Sequence, residues 1–104
     1  MIVAFSACAL APPDLKAEQA ALMQTSRDCA QAAASGDAER ILSYWADDAI
    51  VLPPDEPAAV GKEAVRDFVR ASLAIPGFSV SWVPEQASVS AQADVGYLIE
   101  KSQF

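Results

Sequence analysis

Apolar side chains recur at helical spacing in three stretches of the chain. The first covers residues 15–35, where Leu15, Leu22 and Met23 begin a stripe that alanines continue. The second stretch places apolar residues at i, i+3, i+4 and i+7, in the order Ala38, Ile41, Leu42 and Trp45. The third stretch runs from Lys62 to about Ala74. These periods predict three amphipathic helices.

Residues with known capping preferences stand at the ends of these stretches. Asp14 precedes the first stretch and is a good N-cap, because its carboxylate can accept a hydrogen bond from the first turn. Gly36 is the expected stop, since glycine adopts the left-handed conformation that ends helices. Asp37 then caps the second helix, and Gly61 precedes the third. The helix boundaries are therefore predicted from local chemistry alone.

Elsewhere the apolar period is two, which is typical of strands. Short strands are predicted at 49–52 and 58–60, on either side of a loop at 53–57 that three prolines keep extended. After a Pro76-Gly77 turn, apolar and polar residues alternate through a long hairpin. Its alternating residues are Phe78, Val80, Trp82, Ala87 and Val89, then Val95, Tyr97 and Ile99 with Gly96, Leu98 and Glu100 between them. The order predicts an α+β fold whose antiparallel sheet curls around the helices.

Length and charge narrow the possible functions. The 104 residues suffice for one domain, which we place at 14–104. The formal net charge of −7 argues against nucleic acid and anionic membrane surfaces as partners. The chain has no His, so it lacks an imidazole base and an ordinary zinc site. We expect no metal and no cofactor.

The first residues are apolar and resemble the end of an export signal. Residues 1–11 lead to the small-x-small triplet Ala9-Leu10-Ala11, although no positively charged segment precedes them. Phe5-Ser6-Ala7-Cys8 resembles a weak lipobox, in which Cys8 is the residue that is lipidated. We therefore interpret 1–13 as a signal remnant or a disordered tail. The prediction is a protein of the bacterial cell envelope or a secreted one, with a cytoplasmic location as the alternative.

Several motifs in order resemble the SnoaL-like branch of the nuclear-transport-factor-2-like superfamily, to which ketosteroid isomerases also belong. The resemblance covers about residues 17–104 and is carried by 36–37, 44–52, 61–68, 76–82 and 94–97. It implies a cone-shaped, curved antiparallel sheet packed around the long N-terminal helix, with a mostly apolar pocket. It also implies further strands after the one containing Tyr97, so we expect the domain to be truncated at its C-terminal end.

The same resemblance bears on catalysis. The general-base position of the ketosteroid isomerases falls here at Pro53, and their oxyanion-hole Tyr position falls at Cys29. Neither residue matches the family pattern, so isomerase chemistry of that type is disfavoured. We expect a hollow whose lining has no obvious proton-shuttling side chain.

Six residues remain candidates for a site. Trp45, Phe78, Trp82 and Tyr97 are candidates for lining a ligand pocket, with core packing as the alternative for each. Asp48 and Asp55 are the carboxylates considered for catalysis. A role in a turn is the simpler interpretation of Asp48, and a solvated acidic loop that of Asp55.

Three functions stay open on the sequence alone. The first is binding of a small apolar or amphipathic molecule, without catalysis, by an exported domain. The second is an isomerase, cyclase or hydratase that uses a pocket carboxylate as its base. The third is an association module, because the resemblance implies cones that pair through the open sheet face, here as a homodimer. The only membrane contact expected is a lipid anchor at Cys8.

Overall fold

The computed structural model describes residues 12–104. Cys8 and the rest of the predicted signal remnant up to residue 11 therefore lie outside the described residues. Two helices, a short hairpin, a helix and a long hairpin follow one another, which confirms the predicted α+β plan. The elements are α1 (Leu15–Ser35), α2 (Ala38–Leu42), β1 (Ile50–Val51), β2 (Ala59–Val60), α3 (Lys62–Leu73), β3 (Ser81–Val89) and β4 (Gly96–Gln103).

The predicted caps of α1 and α2 are confirmed. Asp14 Oδ1 accepts a hydrogen bond from the backbone N–H of Ala17 at 3.1 Å. Gly36 ends α1 with φ 73°, in the left-handed region that glycine adopts without a steric penalty. The carboxylate of Asp37 accepts from the N–H groups of Glu39 and Arg40 at the start of α2. None of the described helices has the length and apolar character needed to cross a membrane.

Helix α2 is shorter than its apolar stripe predicts. It ends at Leu42, and the backbone N–H of Trp45 donates to the carbonyl of Leu42 at 3.0 Å, a bond of i+3 spacing. Tyr44 donates to Ile41 with the same spacing, so the chain tightens into turns instead of continuing as α-helix.

An ionic cluster connects α2 to α3. Arg66 Nε donates to Glu39 Oε1 at 2.9 Å, and Arg70 Nη2 reaches the same oxygen at 3.2 Å. Arg66 also contacts Glu63 on its own helix. The hydrogen bond from Arg66 lowers the pKa of Glu39 below its ordinary value. Because Glu39 is exposed, the cluster orients the two helices and contributes little to stability.

The strands form two separate antiparallel hairpins within the described residues. The short one pairs Ile50 with Val60, and the long one pairs Trp82 with Ser102 and Val89 with Gly96. A register shift falls between Pro84 and Gln86 of β3. Proline has no N–H to donate, and a bulge is one of the few places where a strand tolerates it.

Helix α1 packs on one face of the long hairpin, and Gly96 marks the closest approach. A Cβ atom on Gly96 would lie 2.6 Å from Leu22 Cδ1 and 3.1 Å from the carbonyl oxygen of Ser88. Because side chains alternate along a strand, Leu98 and Glu100 share the face of Gly96. Tyr97 and Ile99 lie on the opposite face and are 58% and 46% exposed.

The completely enclosed part of the core is small. Its buried apolar residues are Ala32, Ile41, Leu42 and Val65 of the three helices, together with Pro84 of β3. Ser26 of α1 is the buried polar residue, at 3% exposure. The core therefore holds the helices together at one end, and the inner face of the long hairpin is left to enclose a hollow.

Candidate functional site

A cavity of about 640 Å³ opens between the helices and the inner face of the long hairpin. Helix α1 contributes Thr25, Cys29 and Ala33 to its wall, and α3 contributes residues from Phe68 to Leu73. The hairpin closes the opposite side with every second residue of β4. The lining is predominantly apolar, which favours a ligand with a substantial hydrocarbon part.

Aromatic rings form a large part of this wall. Trp45 reaches the cavity from the turn after α2, and Phe78 and Trp82 reach it from β3 and the residues before it. Phe78 and Trp82 are four residues apart, so in extended chain they point to the same side. The cavity also contacts the rings of Tyr44 and Phe68.

One carboxylate, the exposed side chain of Glu100, borders this apolar wall. Glu100 Oε1 accepts a hydrogen bond of 2.6 Å from Ser26 Oγ, which joins residues of β4 and α1. Ser26 Oγ in turn accepts a 3.2 Å hydrogen bond from the indole Nε1 of Trp82. The buried hydroxyl thus donates to Glu100 and accepts from Trp82. Its hydrogen-bonding capacity is used to fix both cavity residues in place.

The thiol of Cys29 lines the cavity next to this network. Burial raises the pKa of the Cys29 thiol, and the negative charge of Glu100 raises it further. Both effects disfavour the thiolate, so at neutral pH Cys29 is a neutral, weakly polar part of the wall. Within residues 12–104, Cys29 has no disulfide partner. In residues 12–104, no group of three metal-ligating side chains converges on a common point.

Comparison with known proteins identifies the family. The SnoaL-like domain family matches residues 22–104, which include every element that lines the cavity. The chain belongs to the SnoaL-like domain family. No curated protein matches it.

A solved structure has the same fold as this SnoaL-like domain. It is the crystal structure, at 2.40 Å resolution, of a ketosteroid isomerase-like protein from Erwinia carotovora atroseptica. The match has a TM-score of 0.71 and 21% sequence identity, and it covers 82% of this chain. The chain spans 65% of the length of that protein. At this identity the likeness establishes the fold only.

The aromatic candidates separate into two groups. Trp45, Phe78 and Trp82 line the cavity of the SnoaL-like domain, and whether they contact a ligand stays a prediction. Tyr97 lies on the outer face of β4, away from the cavity. The alternation of β4 was recognised in the sequence, but which of its two faces turns inward was not.

The catalytic candidates Asp48 and Asp55 lie away from the cavity wall. Both are exposed, and Asp55 stands in the proline loop with φ 59°. The expectation that the hollow would hold no proton-shuttling side chain is wrong, because Glu100 lines it. Sequence reasoning missed Glu100. The signal that could have found it is its spacing from Gly96, the one residue of β4 that lets the helix approach closely.

Proposed function

We propose that this SnoaL-like domain binds a small apolar or amphipathic molecule in the cavity beside α1. The cavity is the observation that carries the proposal. Its volume of about 640 Å³ lies within the roughly 300–1,000 Å³ of typical ligand sites. All three helices and both strands of the long hairpin contribute to its wall, so the space is a product of the fold and is already open without a ligand.

The chemistry of the wall supports the same function. The wall has flat apolar surfaces on Trp45, Phe78 and Trp82. It also has one polar contact, the carboxylate of Glu100, which Ser26 holds in place. A wall of this kind binds a hydrocarbon body by excluding water and orients it through one polar contact.

Proton transfer is a second candidate, and Glu100 is the specific observation in its favour. A carboxylate fixed at the border of an apolar cavity can accept a proton from a bound substrate that reaches it. The isomerase, cyclase or hydratase alternative then rests on Glu100 in place of Asp48 or Asp55. Binding comes first because it needs the cavity alone, whereas catalysis also needs a reactive substrate atom beside this carboxylate.

Location and assembly complete the proposal. The apolar start supports export to the cell envelope, with Cys8 as the lipid anchor. The outer face of the long hairpin exposes Val83, Tyr97 and Ile99 and supports pairing of two copies into a homodimer. Both are proposals that concern residues other than those of the cavity.

Titration with an uncharged fluorescent ligand tests the binding function. Trp45 and Trp82 are the two tryptophans of the chain, and both line the cavity. N-Phenylnaphthylamine bound there accepts excitation energy from both. We expect saturable energy transfer from tryptophan to the dye, and we expect a non-fluorescent hydrocarbon alcohol to displace the dye.

Two substitutions on one helix provide the matched control. Ala33→Phe fills the cavity from α1, whereas Ala34→Phe points to solvent from the next position. Val69→Phe obstructs the cavity from α3 and controls for a folding defect that a substitution in α1 alone would cause. With circular dichroism showing unchanged helix content, the two cavity variants should lose saturable binding while Ala34→Phe keeps it. Equal binding by all variants would refute the proposed site.

A further inference from the structure

Charge is distributed unevenly around the cavity. Glu100 is the one side chain in the lining that carries a formal charge, and among the described residues no Lys or Arg lines the wall. The thiol of Cys29 is neutral. A bound molecule therefore meets one negative charge with no positive charge beside it.

The carboxylate of Glu100 has no ionic partner within residues 12–104. The acidic groups with ion pairs in this part of the chain are Asp47, Glu39 and Glu63, all outside the cavity. The neighbouring Lys101 lies on the opposite face of β4, because side chains alternate along the strand. The contact that fixes Glu100 is the neutral hydroxyl of Ser26, which orients the carboxylate and leaves its charge uncompensated.

Aromatic rings line the cavity that this carboxylate borders. The indole of Trp82 is tied to Glu100 through Ser26, with hydrogen bonds of 3.2 Å and 2.6 Å. Tyr44 and Trp45 face the same cavity. The faces of indole and phenol rings attract cations, with Trp the strongest of them. A carboxylate and aromatic faces together form the surroundings in which an organic ammonium group is stabilised.

We infer that the ligand is an amphipathic amine, with an apolar body in the cavity and a protonated nitrogen against the carboxylate of Glu100. This inference rests on the proposed function and names its ligand class. Binding of an anionic amphiphile of the same size is disfavoured for two reasons. Its head would meet Glu100 without a compensating cation, and the chain as a whole carries a net charge of −7.

Three ligands with one hydrocarbon body test the inference. Phenylbutylamine, phenylbutanol and phenylbutyrate differ only in the head group, which is cationic, neutral or anionic at pH 7. Dissociation constants come from calorimetry with the full chain and from displacement of N-phenylnaphthylamine. We expect the amine to bind about fivefold tighter than the alcohol and the carboxylate to bind weakest. Added sodium chloride should reduce the advantage of the amine.

Two isosteric substitutions assign the preference to one carboxylate. Glu100→Gln removes the charge in the cavity, and Glu85→Gln removes the same charge from an exposed position of β3. In the Glu100→Gln chain, the amine and the alcohol should bind equally, whereas Glu85→Gln should keep the preference. Retention of the preference without Glu100 would overturn the inference, as would equal binding of amine and alcohol by the unmodified chain. If the amine and the alcohol bind equally, and Ala33→Phe abolishes the saturable binding of the alcohol, the proposed function still holds. If none of the three ligands binds, the inference and the proposed function are both overturned.

Discussion

The two faces of the long hairpin both carry large apolar residues, but they have opposite roles. The inner face carries Trp82, Leu98 and Glu100 and forms one side of the cavity. The outer face carries Val83, Tyr97 and Ile99, which are 64%, 58% and 46% exposed. On β4, the inner face carries the charged Glu100, whereas the outer face carries Tyr97 and Ile99 beside Lys101. Hydrophobicity alone therefore does not decide which face of β4 turns inward.

Contacts with α1 decide it instead. Gly96 has no side chain, so Leu22 of the helix can lie where a Cβ atom would stand. Further along the strand, Ser26 of the same helix hydrogen-bonds Glu100. A slip of one residue would place Tyr97 against the helix and break the hydrogen bond between Ser26 and Glu100. A close approach and a polar contact thus fix a register that the apolar pattern leaves open.

Substitution of two adjacent residues of β4 gives the largest expected difference between the faces. Leu98→Asp and Ile99→Asp impose the same charge. The loss of strand propensity, up to about 1 kcal/mol, is larger for the β-branched Ile99, so it works against the expected difference. Leu98 is half-buried against the cavity, so a carboxylate there adds a desolvation cost. We expect Leu98→Asp to lower the free energy of unfolding by about 2 kcal/mol more than Ile99→Asp. Urea unfolding followed by circular dichroism measures both. Equal losses would mean that both faces are solvated alike.

Removal of one buried hydroxyl should have the next largest effect. Ser26→Ala leaves the indole Nε1 of Trp82 and the Oε1 of Glu100 without their shared partner. We expect a loss of about 1–2 kcal/mol in the free energy of unfolding and a shift of tryptophan emission. Ser81→Ala at the exposed start of β3 is the control and should change neither quantity. If the two variants behave alike, the Ser26 network does not hold the cavity wall.

The parts of the fold that depend on local chemistry could be predicted from the sequence. The caps at Asp14, Gly36 and Asp37 were found because each hydrogen bond joins residues two or three positions apart. The end of α2 at Leu42 was missed because the apolar spacing continues to Trp45 through turns that keep nearly the same period.

The site itself depends on a long-range contact that no pattern in the sequence predicts. Ser26 and Glu100 are 74 positions apart, and the spacing of Glu100 from Gly96 does not identify Ser26 as its partner. The resemblance directed attention to Pro53 and Cys29, where ketosteroid isomerases carry catalytic groups. Their loss disfavours isomerase chemistry of that type and leads to the expectation of a lining without an obvious proton-shuttling side chain. Strand β4 supplies the carboxylate of Glu100. The loss of family residues at two positions therefore does not exclude acid–base chemistry at another position.

The smallest expected effect is on the reactivity of Cys29, which depends on the charge of Glu100 on the inner face. Burial is the larger cause of the raised pKa of this thiol, and the charge of Glu100 is the smaller one. Glu100→Gln removes only the smaller cause, so the pKa falls towards its ordinary value and the thiolate fraction rises. In a chain that also carries Cys8→Ser, we expect iodoacetamide to alkylate Cys29 about two- to fivefold faster at pH 8.

The matched charge removal separates a local effect from a general one. Glu85→Gln changes the net charge by the same amount but lies on exposed strand, so alkylation of Cys29 should keep its original rate. A ligand seated in the cavity should slow alkylation in both variants, because Cys29 forms part of the wall. Acceleration by Glu85→Gln equal to that by Glu100→Gln would show that the net charge of the chain, and not the inner carboxylate, controls this thiol.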